Sequence, residues 1–374
     1  GNAGMIVPSH VVPLAAPGMI AQGIRWMFNA ESPFYIQPRL NRQLMKWGWH
    51  FYQSATKKHV EESIPRLRDI SLLSKRLYQE LASQSAFEFA FAERGLMMLY
   101  KTSHTEAEEL EVAKLANDCG IEAIPMSASE VQQKEPELSL NVSGGVYYPG
   151  DAHLDPQLLL EALKKELRAT GVQLVGGTTV NNFIRKDSYI QHIETDKGLY
   201  EADQYLVAGG VWSSTLVQQL GLQLPLQAGK GYSFVLDQPK RQLQIPSILC
   251  EAKVAITPMP NKIRFAGTME IAGINDRINA RRVQGIVKSI PKYLPDYQLD
   301  MPATENIWSG LRPCSPDGLP YIGRSKKIGN LTIAAGHAMM GLSLAPATGW
   351  LVKEILAEAK PSVEMAGFDV ERFA

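Results

Sequence analysis

Apolar residues recur at helical spacing along much of the chain. From 60 to 83, Ile64, Leu67, Ile70, Leu73 and Leu77 share one face and predict a helix. Thr105 to Cys119 predicts another, closed by Gly120, and Ser127 to Lys134 a shorter one. Asp155-Pro156 reads as an N-cap followed by proline at the first helical position. Leu160, Leu163 and Leu167 mark the buried face of that helix, and Gly171 ends it. Further helices are expected over 280–293 and from Ala345 or Pro346 to Ala359.

Strand patterns lie between these helices. Two short strands are expected around Arg94-Gly95, then runs at 146–148, 172–175, 178–185, 189–195 and 205–208. Three more, at 226–237, 254–259 and 262–267, look antiparallel, the last two meeting at Pro260-Asn261. Residues 330–335 form a final strand leading to Gly336. The order 146–148, helix, 172–175 predicts a βαβ unit with parallel strands. Parallel α/β character dominates 146–221 and 306–360, and antiparallel strands with helices dominate 20–145 and 222–304. The expected fold class is therefore α/β with an α+β second domain, the two domains interleaved along the chain.

Composition narrows the function. Of 374 residues, 45% are hydrophobic and 20% charged, as in ordinary globular proteins, which excludes a disordered or collagen-like chain. Equal numbers of basic and acidic residues, 38 each, argue against a nucleic-acid binder. Residues 1–60 are locally basic, with Arg25, Arg39, Arg42, Lys46, Lys57 and Lys58 against Glu31 alone. Trp26, Phe28, Trp47, Trp49, Phe51 and Tyr52 accompany them. Such a segment suits a membrane or an acidic partner, or packs its aromatics into a core; the core reading is favoured. Cys119, Cys250 and Cys314 form no Cys-x-x-Cys pair, so a reducing, cytoplasmic compartment is expected. The seven histidines show no metal-ligand spacing, and no metal is expected.

Three stretches, 1–24, 204–229 and 331–352, lack any charged residue yet are broken by Gly, Pro or Gln. They are poor membrane spans, and backbone packed against a large ligand accounts for them. Within 308–323, Arg312 is the only cation. Its fork suits a carboxylate, and a structural ion pair with Asp317 is the equal alternative. Ala208-Gly-Gly-Val-Trp-Ser213 and Ala334-Ala-Gly-His-Ala-Met-Met-Gly-Leu-Ser343 each leave a strand through glycines, as ligand-binding turns do. Asp151 and His153 precede a helix, where capping or solvation is the expected role.

Taken together, Gly209-Gly-Val-Trp-Ser, Gly310-Leu-Arg-Pro-x-x-Pro-Asp-Gly and Ala335-Gly-His with Gly341 resemble the D-amino-acid oxidase superfamily of FAD-dependent oxidoreductases. The narrower similarity is to the D-amino-acid dehydrogenase small-subunit group, with glycine and sarcosine oxidases also related. It is carried by Asn2-Ala-Gly-Met-Ile-x-Pro, Ala16-Pro-Gly, Ile24-Arg-Trp-Met-Phe, Lys46-Trp-Gly-Trp and Lys230-Gly-Tyr-Ser. The resemblance implies a Rossmann-like FAD-binding domain, over 1–9, 146–221 and 305–374, interleaved with a mixed, antiparallel-sheet substrate domain over 10–145 and 222–304. It implies oxidative deamination of a D-amino acid to a 2-oxo acid, by hydride transfer from Cα to the flavin N5.

Carried over residue by residue, Arg312 is the substrate-carboxylate arginine and Tyr232 is assigned to the substrate pocket. Cofactor contacts fall on Ala3, Gly4, Met5, Val180, Ala208, Gly209 and Trp212. They continue through Gly336, His337, Met339, Met340, Gly341, Leu342 and Ser343. Met339 stands where glycine-oxidase-like members carry a second arginine, which favours a bulkier or less polar substrate. Cys314 lies near the region of covalent flavin attachment in sarcosine oxidases, but the local motif differs, so non-covalent FAD is expected. A quinone or other carrier is expected as electron acceptor, with peripheral contact at the inner membrane left open.

The chain holds no Gly-x-Gly-x-x-Gly. The motif that normally follows that turn begins at residue 2, so a βαβ unit of at least ~30 residues is expected to be missing. The rival readings are a glycine, sarcosine or proline-derivative oxidase or dehydrogenase, and a truncated, non-catalytic binding or assembly module.

Overall fold

The computed structural model describes residues 2–18, 32–37, 39 and 41–374. The expected contributions of Arg25, Trp26 and Phe28 lie outside these residues. In chain order, the first elements are β1 (Met5–Ile6), β2 (Phe34–Ile36), α1 (Arg42–Ser54), α2 (Lys57–Ala82), β3 (Leu96–Tyr100) and α3 (Ser103–Asp118). Then come β4 (Ile124–Ser127), α4 (Ala128–Lys134), β5 (Gly144–Tyr148), β6 (Ala152–His153) and α5 (Pro156–Ala169). The middle of the chain gives β7 (Val180–Lys186), β8 (Tyr189–Thr195), β9 (Gly198–Tyr200), β10 (Tyr205–Val207) and α6 (Ser213–Gln218). The rest is β11 (Gln227–Asp237), β12 (Ser247–Leu249), β13 (Val254–Met259), β14 (Lys262–Ile271) and α7 (Ala280–Tyr293). Last are β15 (Trp308–Cys314), β16 (Tyr321–Arg324), β17 (Leu331–Ala335) and α8 (Ala345–Leu356).

Several helix starts follow from local chemistry. The Asn41 and Thr56 side chains accept from the first free N–H groups of α1 and α2. Ser127 and Glu130 cap α4 reciprocally. Asp155 caps α5 ahead of Pro156, as its sequence indicates, and also takes an ion pair from Lys262 at 2.7 Å.

A nine-stranded mixed sheet dominates, in the order β15-β11-β14-β13-β12-β3-β5-β4, with β2 beside β14. Helix α7 covers one face, where Val283, Ile286 and Ile290 pack on Phe234, Ile256 and Phe265. A smaller sheet runs β10-β17-β16, with β10 parallel to β17. Beside it, α2 packs on α8 through Leu67, Ile70 and Leu73 against Ala347 and Leu351.

Two expectations are corrected. The 146–148 and 172–175 runs do not form a βαβ unit. Strand β5 pairs antiparallel with β3 and β4 in the large sheet, and 172–175 lies in no strand. Val172, Leu174 and Val175 are exposed instead. An apolar run becomes a strand only where a neighbouring strand takes up its N–H and C=O groups; here the Val172 N–H turns back to the Leu167 carbonyl of α5, and no strand among the described residues pairs with 172–175. Strand β15, expected with the cofactor segments, also belongs to the large sheet, through β11.

The aromatics of α1 divide between core and surface. Trp47 is 5% exposed, stacks on Phe51 at 5.1 Å and donates its Nε1–H to the Cys314 carbonyl. Trp49 and Tyr52 stack on each other outside, 58% and 63% exposed, with Met45 exposed beside them.

Candidate active site

Strands β10 and β17 run parallel in register, Tyr205 opposite Leu331 and Val207 opposite Ile333. Their carboxyl ends therefore lie side by side, bringing Ala208–Gly210 next to Ala335–Gly336. That is where an α/β sheet binds ligands. Gly336 has φ +79°, and a Cβ there would meet the Tyr321 ring at 2.6 Å. Gly210 also has positive φ, and nothing lies within 4 Å of where its Cβ would point. The Trp212 side chain is exposed beyond it.

The loop after Gly336 is held from three sides. His337 bridges to Cys314 at the end of β15. The Leu342 carbonyl accepts from the Tyr78 hydroxyl. The Ser343 hydroxyl accepts from the Val7 N–H at 3.0 Å, and the Ser343 carbonyl accepts from the Ser74 hydroxyl. Residues 7–14 thus lie against the 337–344 loop, and a cavity of about 100 Å³ remains between them. Burial lowers the pKa of His337 to about 4, so the ring is neutral near pH 7.

Arg312 stands on β15 facing β11. Gly229 is opposite Arg312, Gly231 opposite Gly310, and Ser233 opposite Trp308. Strand alternation puts Trp308, Gly310 and Arg312 on the same face. The glycines make its floor. A Cβ on Gly231 would lie 2.3 Å from the Arg312 guanidinium, and one on Gly310 would lie 2.0 Å from the Trp308 ring. A bulge in β14 turns Thr268 to φ +69°, and its carbonyl accepts from Arg312 Nη1 at 2.7 Å.

The ion pair expected between Arg312 and Asp317 is not formed. Asp317 takes a bidentate pair from Arg372, Nε–Oδ2 2.7 Å and Nη2–Oδ1 2.9 Å. Among the described residues no carboxylate pairs with Arg312. Burial lowers its pKa, yet a guanidinium keeps its charge at ordinary pH. A cation held without a carboxylate partner is costly and marks a candidate anion site.

Tyr232 is not brought to this face. It points the other way, into the core under α7, where its hydroxyl donates to Glu270 and accepts from the Asn279 N–H. Alternation along β11 explains it: Gly229 and Gly231 face Arg312, so Lys230 and Tyr232 do not. Ala3 and Gly4 are tied elsewhere, the Gly4 carbonyl accepting from Leu154 N–H and the Asn2 carbonyl from Arg264. Met5 shares an apolar cluster with Val7 and Val11, on which Met340 packs. Val180 opens β7 in a separate three-stranded sheet. Met339 lines the cavity with its side chain half exposed. The sequence reading missed Trp308, Gly231, Gly310 and His10; the alternation of Trp308-Ser-Gly-Leu-Arg312 was the available signal for the first three.

The residues present fit a large, flat, mostly apolar ligand. Open approaches lie above Gly210 and near Gly341, and an apolar cavity flanks the loop. The Ser315 and Ser213 hydroxyls, next to β15 and after β10, are buried without a partner. FAD has such a ring system, and 208–212 with 336–343 are the segments that would hold it.

Asp151 sits behind the loop, fully buried. Burial raises its pKa to about 7 despite the two hydrogen bonds it accepts from Ser9. Its unfolded value is about 3.9, so the folded state binds the proton more tightly. The stability this proton contributes is full below about pH 4 and is lost as pH rises through about 7. Urea midpoints of the wild type are expected to fall from pH 5 to 7.5, and those of Asp151→Asn to fall less. An equal fall in both proteins would contradict the assignment.

Comparisons with known proteins identify the family. The family described as FAD dependent oxidoreductase matches residues 1–355. The chain is 30% identical over 382 residues to a D-amino acid dehydrogenase of Vibrio vulnificus, covering all of this chain and 90% of the relative. A D-amino acid dehydrogenase of Granulibacter bethesdensis is 29% identical with the same coverage. The crystal structure of glycine oxidase from Geobacillus kaustophilus superposes with a TM-score of 0.75 at 25% identity, over 83% of each chain. With that match running through the glycine turns and Arg312 alike, the chain belongs to the FAD dependent oxidoreductase family.

Proposed function

We propose that this protein is a D-amino-acid dehydrogenase that oxidises the Cα–N bond of its substrate to an imine, which water hydrolyses to a 2-oxo acid. The observation that carries the reading is the buried, unpaired Arg312 on a glycine floor. Its guanidinium binds the substrate carboxylate and fixes which face of Cα is presented. Trp308 flanks the site with its ring over Gly310. The Thr268 carbonyl holds the guanidinium plane in place. FAD, when bound along 208–212 and 336–343, supplies the acceptor for two electrons and the Cα hydrogen.

Non-covalent FAD is supported by Cys314. Burial raises its thiol pKa to about 11, so the nucleophilic thiolate is scarce at neutral pH. A quinone in the membrane as electron acceptor is supported by α1. It exposes Met45, Trp49 and Tyr52 at i, i+4 and i+7, and its only charged side chains are Arg42 and Lys46. That is the make-up of a helix lying on a lipid interface. Among the described residues no helix is long and apolar enough to cross a membrane. The likeness to glycine oxidase favours, as a second reading, a glycine, sarcosine or proline-derivative oxidase.

Steady-state assays separate the readings. D-Ala, D-Pro, hydroxyproline and sarcosine are supplied with an electron-accepting dye, then with oxygen alone. Dye-linked turnover of D-amino acids well above the oxygen rate is expected. No turnover of any D-amino acid would sink the proposal. A colourless purified protein would support the non-catalytic rival.

A further inference from the structure

The register of the large sheet lays out a trough around Arg312. Gly231 lies opposite Gly310, and Ser233 lies opposite both Trp308 and Ala266. Directly opposed residues project to the same face, so all of these share the face of Arg312. Two side chains lean inward over the glycine pair from either end. The guanidinium covers Gly231, with Nη1, Nη2 and Cζ lying 2.3, 2.4 and 2.5 Å from where a Cβ would be. The indole covers Gly310, with Cη2 at 2.0 Å and Cζ3 at 2.5 Å from the corresponding position. Opposed Cβ positions stand about 4.5–5.5 Å apart, so the indole edge and the guanidinium are at most about 10 Å apart. Beyond the ring, Ser233 and Ala266 continue the floor with small side chains.

Trp308 is 48% exposed although it sits in this trough. A half-open aromatic ring beside a cation that lacks a carboxylate partner pairs an apolar surface with an anion site. An amino acid carries its carboxylate and its side chain on one carbon. With the carboxylate on Arg312, a side chain of a few carbon atoms reaches the indole, and neither Gly231 nor Gly310 puts a side chain in between. We infer that the Trp308 indole is the surface on which the substrate side chain packs, and that it selects larger apolar side chains over smaller ones. This rests on the amino-acid reading above and adds the determinant of side-chain choice. The two opposed glycines then have separate tasks: Gly231 leaves room for the guanidinium, and Gly310 for the indole.

The test measures binding, which needs no turnover. The FAD-loaded protein is titrated with acetate, butyrate and hexanoate, following the visible flavin spectrum. Wild-type affinity is expected to rise with chain length. In Trp308→Ala, the gain from acetate to hexanoate is expected to shrink roughly tenfold, the worth of about 50–60 Å² of apolar contact. Trp308→Phe, which keeps a ring, should lose less of it. Gly310→Ala, whose methyl would fall 2.0 Å from the indole and displace it, should lose the same length dependence. Gly231→Ala displaces the guanidinium instead and should weaken all three carboxylates by a similar factor. In turnover, the kcat/KM ratio of D-norleucine to D-alanine should fall in Trp308→Ala. Should Trp308→Ala not fold, Trp308→Phe and Gly310→Ala carry the same comparison. An undiminished gain with length, a loss shared equally by all three carboxylates, or Gly310→Ala behaving as Gly231→Ala overturns the proposal. A wild type that shows the length dependence but oxidises no D-amino acid would sink the function and leave the side-chain surface standing.

Discussion

Arg312→Ala is expected to lower kcat/KM for the amino-acid substrate by about 30-fold to a few thousand-fold, or ~2–5 kcal/mol. The size follows from the setting. The guanidinium is buried, has no carboxylate partner among the described residues, and is held by the Thr268 carbonyl with its plane over Gly231. Such a cation is pre-organised for a planar anion, and little of its binding is lost to solvent screening. KM should rise strongly, and the flavin spectrum should be unchanged, because Arg312 stands on the large sheet and not among the glycine turns. Arg312→Lys should recover only part of the loss, since a single ammonium cannot form the fork. Gly231→Ala should show the same signature, because its methyl would fall 2.3 Å from the guanidinium. Dye-linked kinetics with each variant check this. An unchanged kcat/KM in Arg312→Ala would reject the carboxylate role.

The second large effect is on stability. Asp317 lies on the turn after β15 and binds Arg372 bidentately near the end of the chain, with both side chains largely buried. Arg372 also donates to the Leu319, Pro320 and Asp369 carbonyls and lies 3.9 Å over the Tyr321 ring. Asp317→Ala removes the bidentate partner of this largely buried cation, leaving only the Asp369 carboxylate, itself paired with Lys326, in its field, and should destabilise the protein by about 3 kcal/mol. Asp317→Asn, which keeps a hydrogen-bond acceptor, should cost less. The double variant Asp317→Leu with Arg372→Leu should recover much of the loss, because the penalty comes from the unpaired charge. Urea-unfolding midpoints measure all three. A double variant no better than Asp317→Ala would show that the Arg372 carbonyl contacts, not the charge, hold the C-terminal segment.

The two predictions show where the sequence was legible. Arg312 stands out in the chain as a lone cation among turn formers, and its importance was readable from that alone. Its freedom was not, because Asp317 five residues away was an equal partner until Arg372, 55 residues away, claimed it. The glycine turns at 209–210 and 336 were legible because positive φ beside a strand end leaves few residue choices. The caps of α4 and α5 were legible for the same local reason. The face of Tyr232 was not legible although its strand was, since a face is fixed only when the strand's neighbours are known.

What the sequence by itself determined is the periodicity, the turns, the caps and the family, all carried by residues close together in the chain. The tertiary structure decided which strands pair, which aromatics of α1 are buried, which face Arg312 shares with Trp308, and that His10 meets His337 across one cavity. The physical reason is that each of these depends on a partner in another element, from the next strand of a hairpin to segments at opposite ends of the chain. Local chemistry sets what a segment can become, and long-range packing selects which of its groups are satisfied and which are left free to bind.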